Sequence, residues 1–307
     1  MDSETIVYVA GGTTVAGAAL RRQLAARGAR LVGDPEDEPD YSDRAAVRKF
    51  FKQVQPACVY VTAGKSAGIA GNQRSPADLM RDNLDVAAHL LPAAAEAGVR
   101  KLLYLATSCV YPKHAPQPMH PDALWTGPLE PTSAAYAVAK LAGITLCRAY
   151  RQQGGARFIT AIGADVYGPD DKFSAEDSHV VGGLLRRMHE ARESGAPELA
   201  VWGSGRPERE FIYADDLADA CIFAMERYDD ERPVNLGTGI RTSIRDLAFI
   251  IRDVVGYTGE LRFDTTKPDG IPFKGLDSSV LQDLGWKPSI GLRAGLDLTY
   301  AGFLAAR

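Results

Sequence analysis

"VAGGTTVAGAAL", from Val9 to Leu20, decides the fold. It starts inside an apolar run (TIVYVA, Thr5 to Ala10), passes through Gly11 and Gly12, and turns into an alanine-rich segment with helical patterning. A buried strand, a glycine turn and a helix in that order form the first βα unit of a doubly wound sheet. There a dinucleotide's pyrophosphate meets a helix N-terminus. Gly11 and Gly17 stand at the outer positions of G-x-x-G-x-x-G, with Thr14 in place of the middle glycine. The turn residues Thr13, Thr14 and Val15 are candidates to hold the cofactor with them.

Outward from that unit the same form recurs. ACVYVTA (Ala57 to Ala63), KLLYLA (Lys101 to Ala106) and RFITAIGA (from Arg157) read as buried strands. Helical patterns lie between them over Val15 to Arg27, Arg44 to Val54, Pro76 to Ala97 and Ser133 to Gln152. Buried strands alternating with helices predict an α/β fold, a Rossmann-type parallel sheet with right-handed crossovers. VNLGTG (Val234 to Gly239) returns one more strand to it. Residues 1–165, with about 208–240, are expected to form the dinucleotide-binding domain. Residues 166–207 and 241–307 carry Pro/Gly breaks, short helices and little strand alternation. They predict a smaller, interleaved substrate-binding lobe over the carboxyl edge of the sheet.

Composition narrows the class. The chain has 307 residues, 46% of them hydrophobic, and a formal net charge of -4. It can bury a large core, and its acidic balance argues against a general nucleic-acid binder. No apolar run is long enough to span a bilayer, and the opening MDSETIVYV lacks a signal peptide's basic segment. Cys58, Cys109, Cys147 and Cys221 show no CxxC spacing, so neither a disulfide framework nor a metal site is expected. A cytoplasmic protein with reduced thiols is the expectation.

The second strand should end near Val32, where GDPEDEPD begins. An acidic residue about 20 positions past the glycines accepts hydrogen bonds from an adenosine ribose. Asp34 and Glu36 fit that role, and their charge would repel a 2′-phosphate. They favour NAD over NADP.

YAVAK (Tyr136 to Lys140) follows a strand end whose hydroxyls are Thr107 and Ser108. With Ser133 as N-cap, Tyr136 and Lys140 share one helix face. A neighbouring ammonium, helped by the positive nicotinamide, would favour phenolate and bring the tyrosine into a useful range for proton transfer.

These stretches resemble the extended short-chain dehydrogenase/reductases, and within them the GDP-L-fucose synthase family. The resemblance is carried by GKSAGIAGN, TSCVYP, LEPTSAAYAVAKLAGITLCRAY, VYGPDDKF, SHVVGGLLRRMHEA, VWGSGRPEREFIYADDLADA, NLGTG, SIRDLA and KPDGIPFKGLDSSVLQDLGW. It implies Tyr136 as proton donor/acceptor at C4, Lys140 as the ribose-binding lysine and Thr107 as the hydroxyl position. Cys109 and His179 are implied as base and acid for epimerising carbons beside a 4-keto group. Ala63, Val166 and His179 are implied at the cofactor, and Arg187, Trp202, Arg209, Lys274 and Asp277 at a GDP-sugar substrate. A homodimer through the helices from Pro76 and Ser133 is implied as well.

The chain departs from that family in four places. Asp34 and Glu36 stand where a basic stretch is common, Thr14 replaces a glycine, Asp165 an asparagine and Phe273 an arginine. The expected activity is that of a GDP-4-keto-6-deoxyhexose 3,5-epimerase/4-reductase. The alternatives are a redox-neutral sugar 4-epimerase that retains NAD and, with the tyrosine and lysine both present, less readily a non-catalytic nucleotide sensor.

Overall fold

A computed structural model describes residues 5–175, 178–267 and 269–307. Its first half runs β1 (Ile6–Ala10), α1 (Val15–Ala26), β2 (Arg30–Val32), α2 (Arg44–Val54), β3 (Cys58–Val61), α3 (Ile69–Arg74), α4 (Pro76–Glu96), β4 (Lys101–Thr107), α5 (Ala134–Gly154) and β5 (Phe158–Gly163). Next come β6 (Asp165–Tyr167), α6 (Val180–Glu193), β7 (Glu198–Trp202), β8 (Glu208–Tyr213), α7 (Ala214–Arg227) and β9 (Val234–Leu236). The chain closes with β10 (Arg241–Ser243), α8 (Ile244–Val255), β11 (Glu260–Asp264), β12 (Phe273–Lys274), α9 (Ser279–Asp283) and α10 (Leu292–Ala305).

The apolar runs become one sheet in the order β2-β1-β3-β4-β5-β9, every neighbour parallel. Covered on both faces, its inner strands have no polar side, which is why β3 and β5 are buried along their whole length. The chain leaves β1 for β2 on one side and returns to β3 on the other. The switch point between β1 and β3 is where ligands bind in such sheets.

A second core lies under the carboxyl edge, built by Leu184, Leu185 and Met188 of α6, Leu247 and Ile251 of α8, and Leu296 and Phe303 of α10. Here the sequence expectation of few strands is corrected. β8 pairs with β6, β10 and β12, and β7 pairs with β11. β7 does alternate, with Leu199 and Val201 inward and Glu198, Ala200 and Trp202 outward, but five residues are too few to stand out. β8, expected in the first lobe, belongs to this second sheet. It is also the seam between the two cores, with Ile212 in the first and Phe211 and Tyr213 in the second.

Candidate active site

The glycine turn has the shape a dinucleotide needs. Gly11 sits at φ +82°, and a Cβ there would overlap the backbone of Ala63 after β3. Gly17 lies beneath the turn, where a Cβ would overlap the Gly11 carbonyl oxygen, so it lets α1 approach the sheet and does not face the cleft. Thr14 takes the glycine's place as the helix N-cap. Its Oγ1 accepts the Gly17 N–H at 3.0 Å and donates to the Gly11 carbonyl at 2.8 Å. Gly11, Thr13, Thr14, Val15 and Ala63 all line the cleft.

A carboxylate rests on this turn, a contact the sequence spacing did not predict. The Glu38 carboxylate accepts the N–H groups of Gly11 at 2.8 Å and Gly12 at 2.7 Å. Asp34 instead caps a short 3-10 turn over Pro35–Asp37 by accepting the Glu36 N–H. That turn carries Asp34 and Glu36 out to solvent and brings Glu38 back. Asp34 and Glu36 do not line the cleft, whereas Glu38 and Asp40 do. A turn whose N–H groups hold a carboxylate suits a pyrophosphate, so the residues present fit the dinucleotide.

Tyr136 and Lys140 lie on one face of α5 and both line the cleft, as Thr107 does at the end of β4. Ser133 occupies the N-cap position, but its side chain makes no capping hydrogen bond; a 3-10 turn over Pro131–Ser133 leads into the helix instead. The Lys140 ammonium reaches the Ala63 carbonyl at 3.4 Å and lies 5.3 Å from the Tyr104 ring centre. Burial pulls it down to about 8. Burial pushes the Tyr136 phenol up, and nearby Cys109 adds to the push. The ring is therefore held protonated, the state a proton donor needs.

Charge gathers on the far side of Tyr136. Lys274, brought in by β12, donates to Asp165 Oδ1 at 3.2 Å and to Cys109 Sγ at 3.5 Å. Ser108 donates to the same Asp165 oxygen at 3.4 Å, which separates it from Thr107. Burial pushes the Asp165 carboxyl up, but the Lys274 and Arg209 cations outweigh it and hold it below its usual range. His179, at the N-terminus of α6, is pulled down by burial, with Asp165 opposing and Lys274 and Lys172 assisting.

The second lobe supplies the rest. Arg187 on α6 donates to the Ala200 carbonyl, and Arg209 to the carbonyls of Glu208 at 2.7 Å and Ile271 at 2.6 Å. Trp202 is 64% exposed at the cleft, a large apolar face open to a ligand. Val166 lines the cleft too. Asp277 does not: its carboxylate accepts the Ser279 N–H at the start of α9. Sequence reasoning missed Glu38 and the Asp165–Lys274 pair. A signal for the first was the Asp-Pro step at Asp34, which favours a capped turn over a ribose ligand. The whole cleft has a volume of about 1830 Å³, enough for a dinucleotide and a second nucleotide side by side.

A doubly wound sheet with a glycine turn at its switch point and a YxxxK pair on the same cleft defines a nicotinamide-dependent enzyme. The chain belongs to the NAD dependent epimerase/dehydratase family, whose profile matches residues 7–237. It is similar to GDP-L-fucose synthase 1 of Arabidopsis thaliana, 46% identical over 304 residues, covering 99% of this chain and 94% of that protein. Its identity to the GDP-L-fucose synthase of Escherichia coli (strain K12) is 44%, covering 98% of this chain and 97% of that one. A crystal structure of a GDP-D-glycero-L-gluco-heptose synthase from Campylobacter jejuni, in the presence of NADPH, superposes with a TM-score of 0.91 at 30% identity, covering 99% of each chain. The chain is an NAD(P)-dependent enzyme of the epimerase/reductase class. Among the described residues, no helix is long and apolar enough to cross a membrane.

Proposed function

We propose that the chain epimerises C3 and C5 of a GDP-bound 4-keto-6-deoxyhexose and then reduces C4, the activity of a GDP-L-fucose synthase. The observation that carries this reading is the joint placement of Cys109, His179 and Tyr136 on one cleft. A carbon beside a ketone is acidic enough to lose its proton to a thiolate, and an imidazolium can return one to the opposite face. Cys109 and His179 take those two roles. Tyr136, held protonated, gives its proton to the C4 oxygen as that oxygen becomes an alkoxide, and Thr107 orients the same oxygen. The nicotinamide, when bound, supplies the hydride. Thr13, Thr14 and Val15 would hold its pyrophosphate, and Lys140 would hold its ribose. Arg187 and Arg209 suit the substrate diphosphate, and Trp202 the flat guanine.

A redox-neutral 4-epimerase requires neither Cys109 nor His179, so the pair favours the first reading. The test is turnover of a GDP-4-keto-6-deoxyhexose followed by NMR of the product. Reduced sugar inverted at C3 and C5 is expected; reduction without inversion, or no turnover, would contradict it.

We infer NAD(H) as the preferred cofactor, because Glu38 and Asp40 put negative charge on the cleft wall beside the glycine turn, where a 2′-phosphate would be repelled. A kcat/KM higher with NADH than with NADPH is expected, and the reverse order overturns this. The same reading takes the enzyme to be a cytoplasmic homodimer. Four free cysteines suit a reducing compartment, and α4 and α5 pack together beside the exposed Val138.

A further inference from the structure

We propose that Lys274 and Asp165 set the charge on Cys109: the ammonium of Lys274 draws the thiol towards thiolate, and Asp165 tempers it by competing for the same ammonium. The inference rests on the reading of Cys109 as the epimerisation base.

One Lys274 nitrogen lies 3.2 Å from Asp165 Oδ1 and 3.5 Å from Cys109 Sγ. Its side chain is only 13% exposed, so little water screens either contact. The three groups come from far apart in the chain. Cys109 follows β4, Asp165 opens β6 and Lys274 closes β12. β6 and β12 both pair with β8, at Phe211 and Arg209, and that frame holds the ammonium where it is. Burial pulls the Lys274 ammonium down, but Asp165 and Cys109 outweigh it and hold it above its ordinary range. Other charges also face the site. Cys109 acts on Arg209 and Tyr136, while Arg209 and His179 act on Asp165. A substrate-binding role for Lys274 has to share its ammonium with these two partners. Lys274 is then a positioning residue for the base, and Asp165 adds a negative charge that the site must balance.

The opposing signs give the test. Cys58, Cys147 and Cys221 are buried, so Cys109 is the thiol open to iodoacetamide. Its alkylation rate, located by peptide mass mapping, reads thiolate directly and needs neither cofactor nor sugar. A failure here is therefore separate from a failure to turn over a GDP-sugar. Lys274→Met should slow alkylation at pH 7 by roughly tenfold and displace its pH profile upward, by the stabilisation a close cation gives a thiolate. Lys274→Arg should recover most of the rate. Asp165→Asn should alkylate several-fold faster than the native chain. Lys274→Met within twofold of native, or Asp165→Asn slowed like Lys274→Met, overturns the proposal. If Lys274→Met does not fold, as judged by circular dichroism, Asp165→Asn decides: faster than native supports it, equal or slower overturns it.

Discussion

At Tyr136 and Lys140 burial is the leading influence, whereas at Asp165 and Lys274 opposite charges outweigh it. The first pair sits against the sheet with the Ala63 carbonyl and the Tyr104 ring for company, and its phenol stays protonated while its ammonium is weakened. The second pair brings its own counter-charge from the second lobe. One end of the cleft is shaped for a nicotinamide cofactor; the other holds a cation and an anion that stabilise each other. The two chemical steps should therefore be separable.

Tyr136→Phe gives the largest effect. Loss of a positioned proton donor should lower reduction by about 10³-fold, while exchange of the protons beside the ketone with solvent deuterium continues. NMR of the sugar during turnover in D2O reads both, and loss of exchange together with reduction would break the separation. Cys109→Ser is the mirror experiment. Exchange should fall by about 10²-fold, with cofactor affinity, measured by fluorescence titration, unchanged.

The pH dependence sharpens the comparison. Lys140 loses its proton near 8 in the cofactor-free chain, so its charge is present below that pH and lost above it. Cofactor affinity should weaken by roughly tenfold between pH 7 and pH 9, and Lys140→Arg should flatten the curve. His179 is shifted the same way by burial, so its acid form is lost at a lower pH than an ordinary histidine's. Inversion, which needs that acid form to return the proton, should accordingly decline at a lower pH than an ordinary histidine would set, as NMR of the product across a pH series would show.

The smallest effect concerns stability. Asp171 is 8% exposed, and burial pushes its carboxyl up to about 7. A raised carboxyl favours the folded state only while protonated, so that contribution is lost as pH rises from about 4 through about 7. Asp171→Asn should raise stability by roughly 2 kcal/mol at pH 8 and change little at pH 4, as thermal melts at the two pH values would show.

The same contrast explains what could be read from the sequence. β1, β3, β4 and β5 are buried on both faces, so each is an unbroken apolar run, and the helices between them are long enough to show their period. The glycine turn and YAVAK lie at fixed places in that pattern and were legible with it. The second lobe's strands are two to six residues long, too short to carry a period. Lys274 lies 109 positions from Asp165 and 165 from Cys109, a juxtaposition that only β8 creates. Glu38 escaped for a local reason. Counting along an extended chain put Asp34 at the ribose, but the turn that Asp34 caps carries it to solvent and brings Glu38, four residues on, to the glycines.

The most direct test is to incubate the cofactor-free enzyme with a GDP-4-keto-6-deoxyhexose in D2O and follow C3 and C5 by NMR. Deuterium entering both positions, with no alcohol formed until nicotinamide is added, is the predicted result. No exchange in either the absence or the presence of cofactor would contradict the account.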